Sequence, residues 1–178
     1  MKLNIEETLV NAIVMATESG FEMTGLRPVP VGASRISTAR HELSVMVGLV
    51  GRNSGGMTLN LSKAAMFFVA EKLTDEKQTE VTEENIDALM ELGNMLAGCL
   101  KEQLLVSEYS IDHISLPSMI AGQRYDVMYA RGILTASVEF EIVEMPVTAF
   151  ADRYFSATIS LLKGSGQSFS APPKSEAA

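Results

Sequence analysis

Residues 82–105, the most informative stretch of the chain, read TEENIDALMELGNMLAGCLKEQLL. Thr82 is a favourable helix N-cap, and Glu83 and Glu84 follow in the first turn, where the helix dipole favours negative charge. Good helix formers (Leu, Met, Ala, Glu, Lys and Gln) fill most of the remaining positions. The stretch therefore predicts one long helix that runs to about Ser107.

The predicted helix has an apolar side and a polar side. At about 100° per residue, the apolar side collects six residues: Leu89, Leu92, Leu96, Cys99, Leu100 and Leu104. The opposite side carries a column of residues at offsets of four, three and four: Asp87, Glu91, Asn94 and Gly98. Met90 and Met95 flank this polar column. We expect the apolar side to pack on a sheet and the polar column to face water.

The polar column has two interpretations. Most amphipathic helices have a polar outer face, so it can be an ordinary solvated surface. Two details favour a function. Gly98 costs about 1 kcal/mol relative to Ala in mid-helix, but it lets another molecule approach the backbone closely. Asn94 is a poorer helix residue than Lys or Glu at a water-facing position. Gly93, on the buried side, is explained by close helix packing.

Together with Pro117, the column fits the pattern Asp/Ser-x3-Glu-x2-Asn-x22-Pro, whose first three positions are Asp87, Glu91 and Asn94. This pattern resembles the active-site signature of the CheC/CheX/FliY family of chemotaxis phosphatases. The similarity is greatest to CheX, spans Met1 to Lys163, and is strongest at residues 45–104. A single copy of the motif fits CheX, since CheC proteins usually carry two.

The resemblance implies a protein-aspartate phosphatase that acts on a phosphorylated CheY-like response regulator. Asn94 would orient the attacking water, and Glu91 would pair with the active-site lysine of the regulator. The residues implied to contact the partner are Asp87, Met90, Met95 and Gly98. No metal site is expected on this chain, because Mg²⁺ would be held by the regulator. CheX proteins are dimers that share strands, so a homodimer is also implied.

Two residues qualify the resemblance. Cys99 stands where many family members have Asn, at a position outside the four-point signature. Pro117 is outside the helix, and we expect it to shape the end of a strand rather than to touch phosphate.

The alternative function is a non-catalytic module of the same fold that docks a regulator or switch protein. A small-molecule enzyme has little support, because no Gly-rich phosphate loop precedes a helix and no nucleophile elbow is present.

Composition narrows the function further. The 178 residues carry a net charge of −8, which disfavours a nucleic-acid partner. No apolar run approaches the roughly 18 residues of a membrane helix. Cys99 is the only cysteine, so an intrachain disulfide is impossible and a cytoplasmic location is expected. His41 and His113 show no metal-ligand spacing and are interpreted as structural or surface residues.

The rest of the chain predicts one domain at residues 1–163 and a disordered tail at 164–178, which is rich in Ser, Gly, Pro and Ala. Helices are predicted at 5–19 and 63–73, and a hairpin at 41–50 and 57–61, whose turn residues 51–56 tolerate positive φ. Further strands are predicted at 109–117, 125–129, 133–143 and 154–162. Residues 21–38 are predicted to be a loop or irregular edge strand, and 118–122 a loop. The fold class is therefore α+β, a largely antiparallel sheet with about three helices packed on one face.

Overall fold

The structure is a computed structural model that describes residues 5–36, 38–77, 79–122, 125–127 and 131–162. The predicted tail and Lys163 lie outside the described residues. The helices are α1 (Glu7–Phe21), α2 (Lys63–Thr74) and α3 (Glu83–Gln103). The strands are β1 (Pro28–Ser34), β2 (Thr38–Ala39), β3 (Leu43–Gly51), β4 (Gly55–Leu61), β5 (Ile111–Ile114), β6 (Ser118–Ala121), β7 (Tyr125–Asp126), β8 (Ile133–Ile142) and β9 (Tyr154–Leu162). Short 3-10 segments occupy Glu22–Thr24 and Val147–Arg153.

Seven strands form one antiparallel sheet in the order β1-β8-β9-β4-β3, with β5 and β6 both paired to the outer side of β3. The predicted hairpin is β3 and β4, in which Val45 lies opposite Leu59. Strands β2 and β7 pair separately as a small two-stranded sheet. The predicted α+β class with a largely antiparallel sheet is therefore confirmed.

Helices α1 and α3 pack against each other on the same face of this sheet. Alternate residues of each central strand point into the resulting core, as period-two burial requires. Three buried aromatic rings stack in series from Phe21, the last residue of α1, onto the sheet, with centroids 5.1 Å apart for Phe21 and Phe155 and 5.2 Å apart for Phe155 and Phe140. The predicted apolar side of α3 is buried at Leu89, Leu92, Leu96, Leu100 and Leu104, and Cys99 is half-buried. The prediction that α3 buries its apolar side is thus confirmed.

The opposite face of the sheet is built from small polar side chains. Ser137 and Thr158 share a hydroxyl hydrogen bond of 2.7 Å, and Thr135 and Ser160 share one of 3.2 Å. The buried Asn60 amide donates to the carbonyl oxygens of His41 and Leu43. The sheet therefore has one apolar face, under the helices, and one hydroxyl-lined face.

Both ends of α3 are fixed by local hydrogen bonds. The backbone N–H of Asn85 donates to the Thr82 hydroxyl oxygen at 3.3 Å, and the backbone N–H of Thr82 donates to the Asn85 side-chain oxygen at 3.0 Å. The two bonds form a capping box. At the other end, the backbone N–H and the hydroxyl of Ser107 both donate to the Leu104 carbonyl. This turn ends the helix at Gln103, so the predicted extension to Ser107 is wrong.

Other sequence predictions also needed correction. Residues 118–121, predicted as a loop, are β6, which continues the sheet edge beside β3 after an interruption at residues 115–117. The β3–β4 turn contains no positive-φ residue. Its glycines permit close approach instead, because a Cβ on Gly51 would meet the Ser110 carbonyl and one on Gly55 the Ser160 carbonyl. The irregular edge strand is β1, which has a register shift between Pro30 and Gly32.

Two glycines of α3 lie in contrasting environments. A Cβ on Gly93 would lie 2.5 Å from Cγ1 of Val45, whereas a Cβ on Gly98 would meet nothing within 4 Å. Val45 is fully buried and β-branched, so its side chain has little freedom to move away. Gly93 therefore sets the distance between α3 and β3, as predicted for a packing glycine, and Gly98 has no packing role in the described part of the chain.

These environments predict opposite effects of the same substitution. Gly93→Ala should lower the free energy of unfolding by about 1–3 kcal/mol, the usual cost of overpacking. Gly98→Ala should raise it by up to about 1 kcal/mol through helix propensity. Denaturant unfolding of both variants measures the difference, and equal effects at the two sites would contradict the role of Gly93.

Candidate functional site

The orientation of α3 follows from two contacts. Gly93 faces the sheet at Val45, and the Lys101 ammonium group donates to the Asp112 carbonyl oxygen on β5 at 2.7 Å. At about 100° per residue, Asn94 and Lys101 leave the helix within roughly 20° of each other. Asn94 therefore projects toward the β5–β6 edge of the sheet, and Glu91 lies further round, toward solvent.

The structure brings the predicted polar column together on this outer side of α3. Asp87 and Glu91 are exposed, whereas Asn94 and Gly98 are half-buried. Met90 and Met95 are also half-buried, on opposite flanks of the polar column, because they lie about 140° apart around the axis. The result is a strip with two carboxylates at one end, a carboxamide in the middle and bare backbone at Gly98.

The side chains of this strip have no partners among the residues that the structure describes. Asp87, Glu91 and Asn94 make no hydrogen bond or ion pair there; the described ion pairs are Arg40–Glu139 and Arg153–Glu141. Like charges at an i, i+4 spacing cost a few tenths of a kcal/mol, and Gly98 costs about 1 kcal/mol. The polar column therefore lowers the stability of α3, and its groups are free to bind another molecule.

The chemistry that these groups offer is positioning and charge pairing. A carboxamide presents two N–H donors and a carbonyl acceptor, so Asn94 can hold a water molecule in one orientation. It is too weak a base to remove a proton from that water. The carboxylate of Glu91, one turn away, can accept charge-assisted hydrogen bonds from a cationic side chain. Such a pair suits a reaction whose substrate is already activated and needs an aligned nucleophile.

Pro117 lies beside the middle of α3, although it is 23 residues from Asn94 in the sequence. Val45, which contacts Gly93, is paired with Met119 of β6, and Lys101 is bound to Asp112 of β5. The segment 115–117 lies between those two points along the edge strand. Pro117 precedes β6 directly and is half-buried, which agrees with the predicted role at a strand end.

Lys101 is a residue of this region that the sequence reasoning missed. It stands seven residues after Asn94, which places it on the same side of the helix. That spacing was a usable signal, but its partner, the Asp112 backbone, belongs to a strand that only the fold brings alongside.

Cys99 lies on the inner side of α3. Burial, followed by the charges of Glu102 and Glu22, raises the pKa of its thiol, so it stays protonated at neutral pH.

A separate concavity of about 350 Å³ lies on the hydroxyl-lined face of the sheet. Several of its polar side chains already have partners: Arg40 pairs with Glu139 at 2.7 Å, Ser137 is bonded to Thr158, and Asn60 donates to the His41 carbonyl oxygen. Burial lowers the pKa of His41, whereas the charges of Glu42, Asp152 and Glu139 oppose this effect. With these groups already paired, the concavity offers less binding chemistry than the strip on α3.

Within residues 5–36, 38–77, 79–122, 125–127 and 131–162, no three His, Cys, Asp or Glu side chains are grouped as metal ligands would be. In the same ranges, no helix combines the length and apolar character needed to cross a bilayer.

Solved structures share this fold at low sequence identity. A putative chemotaxis protein from Desulfovibrio vulgaris Hildenborough matches with a TM-score of 0.74 and 17% identity, over 90% of this chain and 99% of that one. CheX from Desulfovibrio desulfuricans matches with a TM-score of 0.70 and 18% identity, over 86% of this chain and 98% of that one. CheX from Borrelia burgdorferi was solved in complex with CheY, BeF3 and Mg²⁺. It matches with a TM-score of 0.69 and 21% identity, over 87% of this chain and 98% of that one. No curated protein sequence matches the chain.

The family comparison agrees with the fold and with the resemblance carried by the polar column. The model of the chemotaxis phosphatase CheX matches residues 43–141, which is more than half of the 178-residue chain and includes all of α3. On that match, the chain belongs to the CheX chemotaxis phosphatase family.

Proposed function

We propose that this protein hydrolyses the aspartyl phosphate of a CheY-type response regulator, with the polar column of α3 as its active site. The observation that carries the proposal is the pair Glu91 and Asn94, which have no partner in the described part of the chain and lie on a helix whose other side is buried. The related Borrelia CheX that was solved with CheY, BeF3 and Mg²⁺ supports a partner of this class.

In the proposed reaction, a water oxygen attacks phosphorus and the bond from phosphorus to the aspartyl oxygen breaks. The products are inorganic phosphate, which takes up the protons of the water, and a free aspartate carboxylate on the regulator. Asn94 enters the partner's site and orients the water for in-line attack. Because an acyl phosphate is already activated, alignment and charge balance supply most of what the reaction needs.

The remaining residues of the strip act in docking. Glu91 pairs with the active-site lysine of the regulator, which fixes the register of the two proteins. Asp87 lies at the edge of the contact and orients the partner. Met90 and Met95 provide apolar flanks, and Gly98 lets the regulator backbone come close. Mg²⁺ belongs to the regulator in this proposal.

Asn94→Ala should abolish most of the phosphatase activity while leaving regulator binding largely intact. Loss of water alignment should slow dephosphorylation by about 100-fold or more. The measurement is the decay of ³²P-labelled regulator with wild type and variant, beside a titration of beryllium fluoride-activated regulator. An Asn94→Ala protein with full activity would refute the mechanism. Tight binding by a wild type that gives no acceleration would favour the alternative, a docking module without turnover.

Glu91→Ala should weaken both binding and rate. Loss of one charge-assisted contact should raise Kd for the activated regulator by about 10- to 100-fold. Glu18→Ala is the matched control, since Glu18 is exposed on α1 and its removal changes net charge equally outside the polar column. The pairing role is wrong if the two variants bind the regulator alike.

We also propose a homodimer, which the resemblance implies. Sedimentation equilibrium should give twice the 19.2 kDa chain mass at micromolar concentration. A concentration-independent monomer mass would exclude the dimer and leave the phosphatase proposal unaffected.

A further inference from the structure

The β5–β6 interruption holds an apolar side chain in water beside the polar column. Leu116 is 87% exposed, in the three-residue segment that separates β5 from β6. Single exposed apolar residues are common on protein surfaces and need no explanation by themselves. The rigidity of this segment and its place in the fold distinguish Leu116 from such residues.

The segment is fixed on both sides of Leu116. The Ser115 amide donates to the Gly48 carbonyl at 2.9 Å, and the Gly48 amide donates to the Ser115 hydroxyl oxygen at 2.8 Å. The same hydroxyl donates to the Leu116 carbonyl at 2.8 Å. Pro117 then locks the next φ angle. A Cβ on Gly48 would lie 3.1 Å from the Ser115 oxygen, so glycine at that position permits this close approach.

The position of the segment relative to α3 follows from the contacts on either side of it. Asp112 is reached by the Lys101 side chain, and Met119 is paired with Val45 beneath Gly93. Leu116 lies between Asp112 and Met119 on the edge strand, and Asn94 projects toward that strand. The segment that carries the exposed leucine therefore borders the side of α3 from which Asn94 projects.

The polar column needs an apolar residue next to it to form a stable docking surface. A stable interface buries about 800 Å² on each partner, a patch roughly 30 Å across. The polar column from Asp87 to Gly98 is only about 16 Å long and one side chain wide, and most of its groups are polar. Binding energy at interfaces is concentrated in a few apolar or aromatic anchors near the centre. An anchor on a rigid loop loses little conformational entropy when it binds.

We propose that Leu116 is an apolar anchor for the response regulator, seated against an apolar surface next to the regulator's phosphorylated aspartate. The proposal rests on the phosphatase function proposed above and adds a residue that determines affinity for the partner. Leu116 does not touch the phosphoryl group, so its contribution should appear mainly in the KM for phosphorylated regulator.

The test compares Leu116→Ser, Leu116→Met and Val31→Ser in the full chain. Val31 is the matched control, because it is an exposed apolar residue at the register shift of β1, the opposite edge strand of the sheet. With beryllium fluoride-activated CheY-type regulator as the probe, Leu116→Ser should raise Kd by about tenfold or more. Leu116→Met should restore most of the affinity, and Val31→Ser should bind as wild type does.

A measurement on the wild-type protein tests the anchor even if the serine variant misfolds. With methyl-labelled leucine, the Leu116 methyl resonances should shift when activated regulator is added. Unchanged Leu116 resonances, or equal Kd values for Leu116→Ser and Val31→Ser, would overturn the anchor while the phosphatase proposal stands. A wild type that neither binds nor dephosphorylates any CheY-type regulator would instead overturn the phosphatase proposal itself.

Discussion

The contact between Gly93 and Val45 determines how the outer surface of this protein is presented. It brings α3 so close to β3 that the helix has little freedom to roll about its own axis. The Lys101 bond to Asp112 fixes the same helix against β5, and the Thr82–Asn85 capping box fixes the point at which the helix begins. A roll of a few tens of degrees would turn Asn94 into the β5–β6 edge or away from it, so the geometry of the polar column depends on this packing.

The two faces of the sheet differ in a way that supports this arrangement. The helix face carries the large apolar side chains and the stacked phenylalanines, so most of the hydrophobic stabilisation lies beneath α1 and α3. The other face is made of short hydroxyl side chains that bond to one another. Helix α3 therefore rests on the best-packed side of the molecule, and side chains on a rigid element are held in place before a partner arrives.

Stability and function oppose each other along the polar column. The neighbouring carboxylates of Asp87 and Glu91, which have no counter-ion among the described residues, and a glycine in mid-helix each lower the stability of α3. The buried leucines on the other side of the helix compensate for that loss. The fold of the CheX family is maintained here with 17–21% identity to the structures compared above. At such identity, packing that conserves volume and pattern is enough to keep the architecture.

Local and periodic features could be predicted from the amino-acid sequence: the buried and exposed sides of α3, its N-cap, the β3–β4 hairpin, the signature of Asp87, Glu91, Asn94 and Pro117, and hence the family. These follow from neighbours a few residues apart, or from a motif that can be matched directly. Other features required the folded chain: residues 118–121 form a strand, Gly51 and Gly55 permit close approach, Lys101 reaches β5, and Leu116 is exposed on the segment between β5 and β6. Each of these depends on partners distant in sequence, and the energy of such contacts exists only once the sheet has formed.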